Sequence, residues 1–276
     1  MRTPGAARTT RLPLGQSGTV RRVPGPLLAV IVGLATCQVG LYLTTVVLHR
    51  AMSHKALTLT RRPMFAARAL IWLTTGIKPR EWVAVHRKHH AFTDVEGDPH
   101  SPAVSGFFMV QLANVVLYKR AANDPETVRR YAKDLAPDRW DLALFDKGWL
   151  GLGIGVGIFF LIFWGNWELV VIASAVHVGS YLLASSAINA IGHRFGKRPY
   201  AGRATNNQWL AWLVAGEGLH SNHHAAPTSA RLAFKAREID PGWWVIVALR
   251  RLGWAQVRHQ EVRLKARATA PAAAGR

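Results

Sequence analysis

Three histidine clusters, far apart in the sequence, constrain the fold of this chain most. The central cluster, residues 86–90, spaces its imidazoles at i, i+3 and i+4, so on a helix they project from one face. A downstream segment repeats that spacing, and a looser pair lies upstream. Together with one isolated histidine they account for nine of the twelve histidines: His49, His54, His86, His89, His90, His193, His220, His223 and His224.

This number of histidines predicts a metal site. A single pair at helical spacing is more often a packing or surface feature, but two HxxHH segments together with an HxxxxH segment make coincidence a poor explanation. Neutral imidazole suits iron, copper, nickel and zinc. A tetrahedral ion needs four ligands and an octahedral ion six. Nine histidines therefore predict two ions in one shared site.

The longest apolar run leads directly into the first histidine cluster. Half of the residues are apolar and eleven are Trp, a mixture typical of membrane proteins with aromatic residues near the interfaces. Residues 27–48 contain no charge and are long enough to cross a bilayer core of about 30 Å. Because His49 follows at once, the first cluster is expected at a membrane face. On an α-helix, however, His49 and His54 diverge by about 140°, so the helix must end or bend between them.

Two further runs predict an antiparallel pair of spans, residues 149–164 and 169–191, joined by a turn at 165–166. Glycines at 151, 153, 155 and 157 would allow close helix packing in the first of these runs. The apolar stretches 64–77 and 107–118 are too short to span and predict helices lying in the interface. The expected class is an all-α integral membrane protein with interfacial helices and a cytosolic helical cap that holds a di-metal site.

The distribution of charge predicts three regions. The net charge is +20, and residues 1–26 hold five arginines and no acidic residue. We expect a basic disordered tail at 1–26, a membrane domain at 27–258 and a second basic disordered tail at 259–276. The charge suits anionic lipid headgroups, an acidic protein or a phosphorylated substrate, whereas nucleic acid is not expected because no binding module accompanies it. A single cysteine excludes intrachain disulfides and thiolate-ligated iron–sulfur centres, so any electrons must come from outside the chain.

The predicted topology contains a conflict. All nine histidines must share one side of the membrane, and one crossing by residues 27–48 leaves the arginine-rich tail on the other side. The positive-inside rule favours a cytoplasmic tail. Either the tail lies outside against that rule, or the first run is partly re-entrant and broken near Gly33 or Gly40. The many Lys and Arg between the apolar runs favour a metal site facing the cytoplasm of a cell membrane.

Other residues are candidates to support the site. Ligating histidines usually donate their other N–H group to a carboxylate or carbonyl. Four residues that lie close in sequence to the histidine clusters are candidates for such contacts: Asp94, Glu96, His100 and Glu217. Trp209 and Trp212, next to the last cluster, are candidates to line a substrate tunnel, although packing alone explains them equally well. His177, within the last predicted span, lies about four turns before His193 and is expected to be a packing residue.

These segments resemble a known family. Residues 49–54, 86–90 and 216–224 are similar to the three histidine boxes of the membrane fatty-acyl desaturases, most closely the delta-9, stearoyl-CoA-desaturase-like branch. Residues 189–200 resemble that branch's segment carrying a ninth histidine ligand, here His193, and a water-linked asparagine, here Asn189. The resemblance runs in the same order from about residue 41 to 258. One difference is that the family usually has a membrane hairpin before its first box, whereas this chain has room for one span.

The resemblance implies an enzyme that uses two irons, O2 and two electrons to introduce a cis double bond into a fatty-acyl chain. An unactivated methylene needs a stronger oxidant than any side chain, which independently favours a metal. The implied partners are an acyl-CoA or acyl-lipid substrate, membrane lipids, and an external donor such as a ferredoxin, a rubredoxin or a b-type cytochrome. Two alternatives stay open: a related di-iron lipid hydroxylase or ketolase, and a non-enzymatic membrane metal-binding protein.

Overall fold

The fold is almost entirely helical. A computed structural model describes residues 25–259 and Leu264; the predicted basic tails therefore lie almost wholly outside the described residues. Residues 25–259 form eleven α-helices: α1 (Gly25–Leu43), α2 (Arg61–Thr75), α3 (Pro79–Ala91), α4 (Pro102–Ser105), α5 (Phe107–Ala122), α6 (Pro125–Tyr131), α7 (Gly148–Ile162), α8 (Trp167–Ala190), α9 (Gln208–Leu213), α10 (His220–Ala225) and α11 (Pro241–Arg251).

Two π-helical segments and one small sheet complete the described part. Thr44–Ser53 continues α1 without a break, and Asp141–Phe145 precedes α7. Strands β1 (Leu57–Leu59) and β2 (Ala255–Val257) pair antiparallel, with Thr58 opposite Gln256. This pairing joins the chain after the first histidine cluster to the C-terminal end of the described residues.

Local sequence explains where several helices begin. Asp124 accepts a hydrogen bond from the Glu126 amide (3.1 Å) and precedes Pro125, the first residue of α6. Asp240 caps α11 in the same way, accepting from the Trp243 amide at 3.0 Å. Such caps satisfy amides that have no partner within the helix.

The long helices α1 and α8 pack along each other and form the most extensive helix pair in the described residues. Gly33 allows this contact, because a Cβ there would overlap the Ala173 carbonyl of α8. The helix from Gly25 to Ser53 (29 residues) and α8 (24 residues) are long and apolar enough to cross a membrane. The alternative of a break near Gly33 or Gly40 is wrong, since α1 runs through both glycines.

Helix α7 packs against α2 through glycine. A Cβ at Gly151 or Gly155 would overlap the carbonyl oxygens of Trp72 and Leu73, whereas Gly153 and Gly157 face open space. The prediction of close packing is therefore confirmed for one side of α7 only. At 15 residues α7 is about 22 Å long, shorter than the bilayer core of about 30 Å. The three predicted spans thus become two helices of spanning length and one shorter apolar helix.

Candidate metal centre

The π-helical segment solves the geometric problem at the first histidine pair. In a π-helix the hydrogen bond joins residues five apart, so residues i and i+5 lie one above the other. The His54 amide donates to the His49 carbonyl at 3.1 Å, and the two imidazole centroids are 4.9 Å apart. The prediction that the helix must end or bend between the two histidines is confirmed, because the helix ends at Ser53. The π-helical widening before that end is what brings both side chains to one site.

The structure brings five histidines together from three distant segments. We name this set the five-histidine group: His49, His54, His86, His90 and His223. The Nε2 atoms of His54 and His86 are 2.8 Å apart, and Nε2 of His223 lies 3.0 Å from that of His49. All five candidate ligand atoms lie within 4.8 Å of one another.

A second set lies directly beside the first. We name it the four-histidine group: His89, His193, His220 and His224. Nε2 of His220 is 3.0 Å from that of His193 and 3.2 Å from that of His224. Each HxxHH helix divides its histidines between the groups, since His86 and His90 of α3 enter the five-histidine group and His89 enters the four-histidine group. All nine predicted histidines thus fall into two adjacent groups.

The spacing and protonation of these imidazoles fit metal ions. Two nitrogens each about 2.1 Å from one ion at a right angle would lie about 3.0 Å apart, close to the observed Nε2 separations. Nδ1 of His193 lies 2.7 Å from Asp94, and Nδ1 of His89 lies 2.9 Å from Asp98. Those Nδ1 atoms must carry the proton to donate it, so their Nε2 lone pairs point into the group. Converging lone pairs without a cation would repel each other.

Burial keeps the imidazoles neutral. Loss of water, followed by repulsion from neighbouring imidazoles, holds the pKa well below the ordinary histidine value at five of the nine positions: His86, His90, His220, His223 and His224. A neutral imidazole has the free lone pair that a metal requires. At neutral pH these side chains are therefore ready to act as ligands.

Three acidic side chains lie next to Nδ1 of a histidine, the ring nitrogen that does not point into the groups. Asp94 pairs with His193, Asp98 pairs with His89, and Oε2 of Glu217 lies 2.9 Å from Nδ1 of His49. Burial opposes ionisation of Asp94 and Asp98, but the hydrogen bonds from the histidines outweigh it and lower the pKa of each carboxyl. At Glu217 burial prevails over the attraction of Arg50 and raises the pKa to about 8.

Sequence reasoning identified two of these three carboxylates. Asp94 and Glu217 lie where they were expected, whereas Asp98 was missed and Glu96 points to solvent. In the described residues Glu96 makes no ion pair with any of the nine histidines, because the turn after α3 directs Asp94 and Asp98 inwards instead. The available signal was the spacing: Asp98 lies nine residues after His89 in a turn closed by Pro99.

The carboxylate behind His89 makes a testable contribution to metal binding. We expect Asp98→Asn to weaken metal affinity by about 10–100-fold, because an amide does not fix the His89 tautomer or strengthen its basicity as a carboxylate does. Metal retained by the purified protein during dialysis against graded chelator would measure this. Glu96→Gln, an exposed change in the same turn, is the matched control and should match the wild type. Equal retention by both variants would contradict the assigned role of Asp98.

Two more predicted residues lie at the edge of the groups. His100 is buried, with its ring centroid 5.0 Å from that of His89, and it forms a third possible ligand set with His89 and Asp98. Asn189, four residues before His193 on the last turn of α8, lines a cavity beside His49 and His220. Both positions suit contacts to the groups rather than a site elsewhere.

The cavity next to the histidines has a volume of about 640 Å³. Its wall includes residues from α1, α2, α3, α5, α7 and α8, among them Trp82, Tyr118 and Tyr181. Trp209 and Trp212 are outside that wall and are 86% and 47% exposed. The tunnel interpretation of these two residues is not supported, because α9 buries Leu210 and Ala211 and turns both tryptophans outwards. His177, expected to be a packing residue, is buried, donates from Nε2 to the Thr74 carbonyl (2.5 Å) and lines the cavity.

A buried ion pair beneath the groups was missed by sequence reasoning. Arg50 is 1% exposed, and both of its terminal nitrogens lie 2.9 Å from the carboxylate of Asp240. It also donates to the carbonyls of Ala215 and Ala230. Arg50 thereby fixes the first histidine segment to the segment that leads into α10. Because 190 residues separate the pair, no local pattern could have predicted it.

Comparison with known proteins agrees with this geometry. The family model described as "Fatty acid desaturase" matches residues 24–238, which include all nine histidines. The chain belongs to the fatty acid desaturase family. That family is one of enzymes, and its membership confirms the resemblance inferred from the histidine boxes.

Desaturases with different carriers and positions are among the relatives. The chain is 35% identical to a protein of Anabaena variabilis named sn-1 stearoyl-lipid 9-desaturase, over 64% of each chain. It is 32% identical to an acyl-CoA C20 Delta5-desaturase of Anemone leveillei, over 78% of this chain and 69% of the relative. It is also 32% identical to an sn-2 palmitoyl-lipid 9-desaturase of Nostoc sp. (strain 36), over 75% and 73%. The chain thus matches about two thirds of the length of these desaturases.

Proposed function

We propose that this chain introduces a cis double bond into a fatty-acyl chain at a centre of two irons held by the nine histidines. The observation that carries the proposal is the convergence of the Nε2 atoms into a five-histidine and a four-histidine group next to a cavity. Five and four nitrogen ligands leave positions open on each ion, as catalytic metal sites require. Asn189, at the cavity wall, would hold a water near the four-histidine group.

The reaction balances with an outside supply of electrons. One O2, two electrons and two protons convert a –CH2–CH2– pair into –CH=CH– with release of two waters. When bound, the irons supply the oxidising power that no side chain has. Cys37 is the single cysteine and is buried, so the chain has no thiolate cluster of its own. The electrons would come from a ferredoxin, a rubredoxin or a b-type cytochrome.

The chain's own residues perform the remaining tasks. Asp94 and Asp98 orient His193 and His89 and keep their protons on Nδ1. Glu217 lies beside Nδ1 of His49. The cavity would hold the acyl chain in an extended form beside His49, His86 and His220 and keep bulk water away from the reacting carbons. We propose residues 27–258 as the catalytic membrane domain, with the Gly25–Ser53 helix and α8 spanning a cell membrane and the histidines facing the cytoplasm.

The position of the new double bond is proposed to be delta-9. The support comes from the relatives of Anabaena variabilis and Nostoc sp. (strain 36), both named 9-desaturases. The Anemone leveillei relative is named for the Delta5 position, so the family alone allows more than one outcome. The distance from the substrate's carboxyl end to the histidine groups determines the position chemically.

Fatty-acid analysis tests the proposal directly. Cells that express the chain, supplied with iron and a compatible donor, should accumulate a monounsaturated acid that is absent from cells carrying an empty vector. Gas chromatography–mass spectrometry with double-bond location should place the unsaturation at carbon 9. A hydroxylated or oxidised lipid instead of an alkene would establish the sister reaction, and an unchanged lipid profile would contradict the proposal.

A further inference from the structure

The cavity is elongated parallel to the two helices of spanning length. Its wall on α8 extends from His177 to Asn189, twelve residues or about 18 Å at the rise of an α-helix. The wall also extends from Leu41 to His49 along the α1 helix and its π-helical continuation. The histidine groups lie at one end, so a chain bound in the cavity would run alongside α1 and α8.

One side of this cavity is open, and its rim is apolar. Six wall residues in the described part of the chain are exposed: Val115, Lys119, Trp149, Leu152, Val178 and Leu182. Five of the six are apolar, with Trp149 75%, Val178 47% and Leu182 40% exposed. These five belong to α5, α7 and α8, the latter two being the apolar pair of helices. An exposed apolar rim of this kind is stable where lipid, rather than water, covers it.

The backbone of α5 contributes to the opening. Gln111 of α5 donates to the Leu183 carbonyl of α8 at 3.0 Å, which joins the two helices above the rim. Two residues later Ala113 leaves helical geometry (φ −124°, ψ 21°). The wall residues Asn114 and Val115 follow that irregularity. The kink in α5 therefore lies two residues before the rim residue Val115.

The polar end of the cavity does not suit a carrier with several phosphates. Its charged wall residues are two lysines and three carboxylates: Lys78, Lys119, Glu81, Asp146 and Glu217. Lys78 is already paired with Glu81 at 2.8 Å, and Glu217 contacts Arg50. The carrier coenzyme A would require a net positive rim, because each phosphate must be neutralised to leave water.

We propose that the substrate chain enters this cavity sideways from the bilayer, between α5, α7 and α8, while still esterified in a membrane glycerolipid. The proposal rests on the proposed desaturase function and specifies its substrate. Lateral passage keeps the methylenes in an apolar environment throughout, whereas end-on threading from a soluble thioester would expose them to water. The headgroup stays at the membrane surface, and the chain swings past Val178 and Leu182 to reach the histidines.

A doubly labelled lipid distinguishes the two carriers. Membranes from expressing cells, supplied with reduced ferredoxin, would receive distearoyl phosphatidylglycerol with a deuterated glycerol backbone and ¹³C-labelled acyl chains. In parallel they would receive ¹³C-stearoyl-CoA. We expect monounsaturated phosphatidylglycerol that retains both labels on the same molecule, and little free oleoyl-CoA. Desaturation of the CoA ester alone, or a lipid product that has lost the original glycerol–acyl pairing, would overturn the proposal.

Two valine substitutions on α8 test the route. Val178 lines the opening, whereas Val171, seven residues earlier on the same side of the helix, is 61% exposed and is not part of the wall. We expect Val178→Trp to lower the rate on the labelled lipid at least ~10-fold, since the indole fills the rim, and Val171→Trp to stay within about twofold of the wild type. Equal rates for Val178→Trp and wild type would overturn the route.

Iron content controls for misfolding in these variants. If Val178→Trp retains less iron than the wild type, Leu182→Trp compared with Leu183→Trp repeats the test at neighbouring exposed positions, of which only Leu182 lines the cavity. Different results would contradict the lateral route and the desaturase function. A wild type that desaturates only stearoyl-CoA removes the lateral route and keeps the desaturase function, whereas expressing cells without any new alkene remove both.

Discussion

His89→Ala should abolish desaturation while leaving the protein in the membrane fraction. His89 is buried in the four-histidine group, with Nε2 3.3 Å from that of His224 and Nδ1 against Asp98. Removing its imidazole takes away a proposed ligand and leaves the Asp98 carboxylate without its partner. Loss of a residue that only orients a ligand typically costs about 10–100-fold in affinity or activity, so loss of the ligand itself should exceed that range.

The measurement combines product analysis with metal content. Double-bond formation should fall below detection in His89→Ala. For the two irons that we propose, iron per chain should fall to about one, because the five-histidine group stays complete. His259→Ala is the control, since His259 lies outside both groups. Full activity in His89→Ala would remove this residue from the ligand set, and loss of both irons would indicate that the two groups bind cooperatively.

Arg50→Met should cause the largest loss of stability of any single charge removal in the described residues. The substitution leaves the Asp240 carboxylate buried without its cation, and breaking a buried pair from one side costs about 3–5 kcal/mol. Asp240 also accepts from the Leu232 amide and caps α11, so the disturbance extends to the segment beneath the last histidine cluster.

An exposed ion pair provides the comparison for Arg50. Arg129 pairs with Glu126 at 2.6 Å, but the two side chains are 77% and 56% exposed, and such pairs contribute about 0–1 kcal/mol. Unfolding midpoints of purified protein in detergent should therefore drop steeply for Arg50→Met and stay nearly unchanged for Arg129→Met. Similar midpoints for the two variants would mean that burial of the Arg50 pair contributes little to the folded state.

The sequence predicted the ligand candidates because metal chemistry restricts residue type and spacing. The i, i+3, i+4 pattern in α3 and α10 needs only a helix to align three imidazoles, and helices form locally. The apolar runs similarly predicted the helices α1, α7 and α8, since length and absence of charge suffice for that prediction. The turn at residues 165–166 before α8 was predictable in the same way, because Gly and Asn favour turns.

Other features depended on residues that are far apart in the sequence. No pattern within residues 49–54 indicated a π-helix, because the widened helix is stabilised by packing of the segment against α3 and α11. The path of the turn after α3 decided that Asp98, and not Glu96, contacts a histidine. The side of α9 that packs on α1 and α8 decided that Trp209 and Trp212 face outwards. Local chemistry allowed either outcome in each case.

The sequence by itself determined the chemistry of this protein: nine imidazoles in a helical, apolar chain without a redox-active thiol cluster. Only the tertiary structure decided how those imidazoles divide into groups of five and four, which carboxylates orient them, and where the adjacent cavity opens. The physical reason is that ligand type and helical periodicity are properties of neighbouring residues. Coordination geometry and cavity shape, in contrast, arise from contacts such as His49 with His223 or Arg50 with Asp240, which span more than 170 residues.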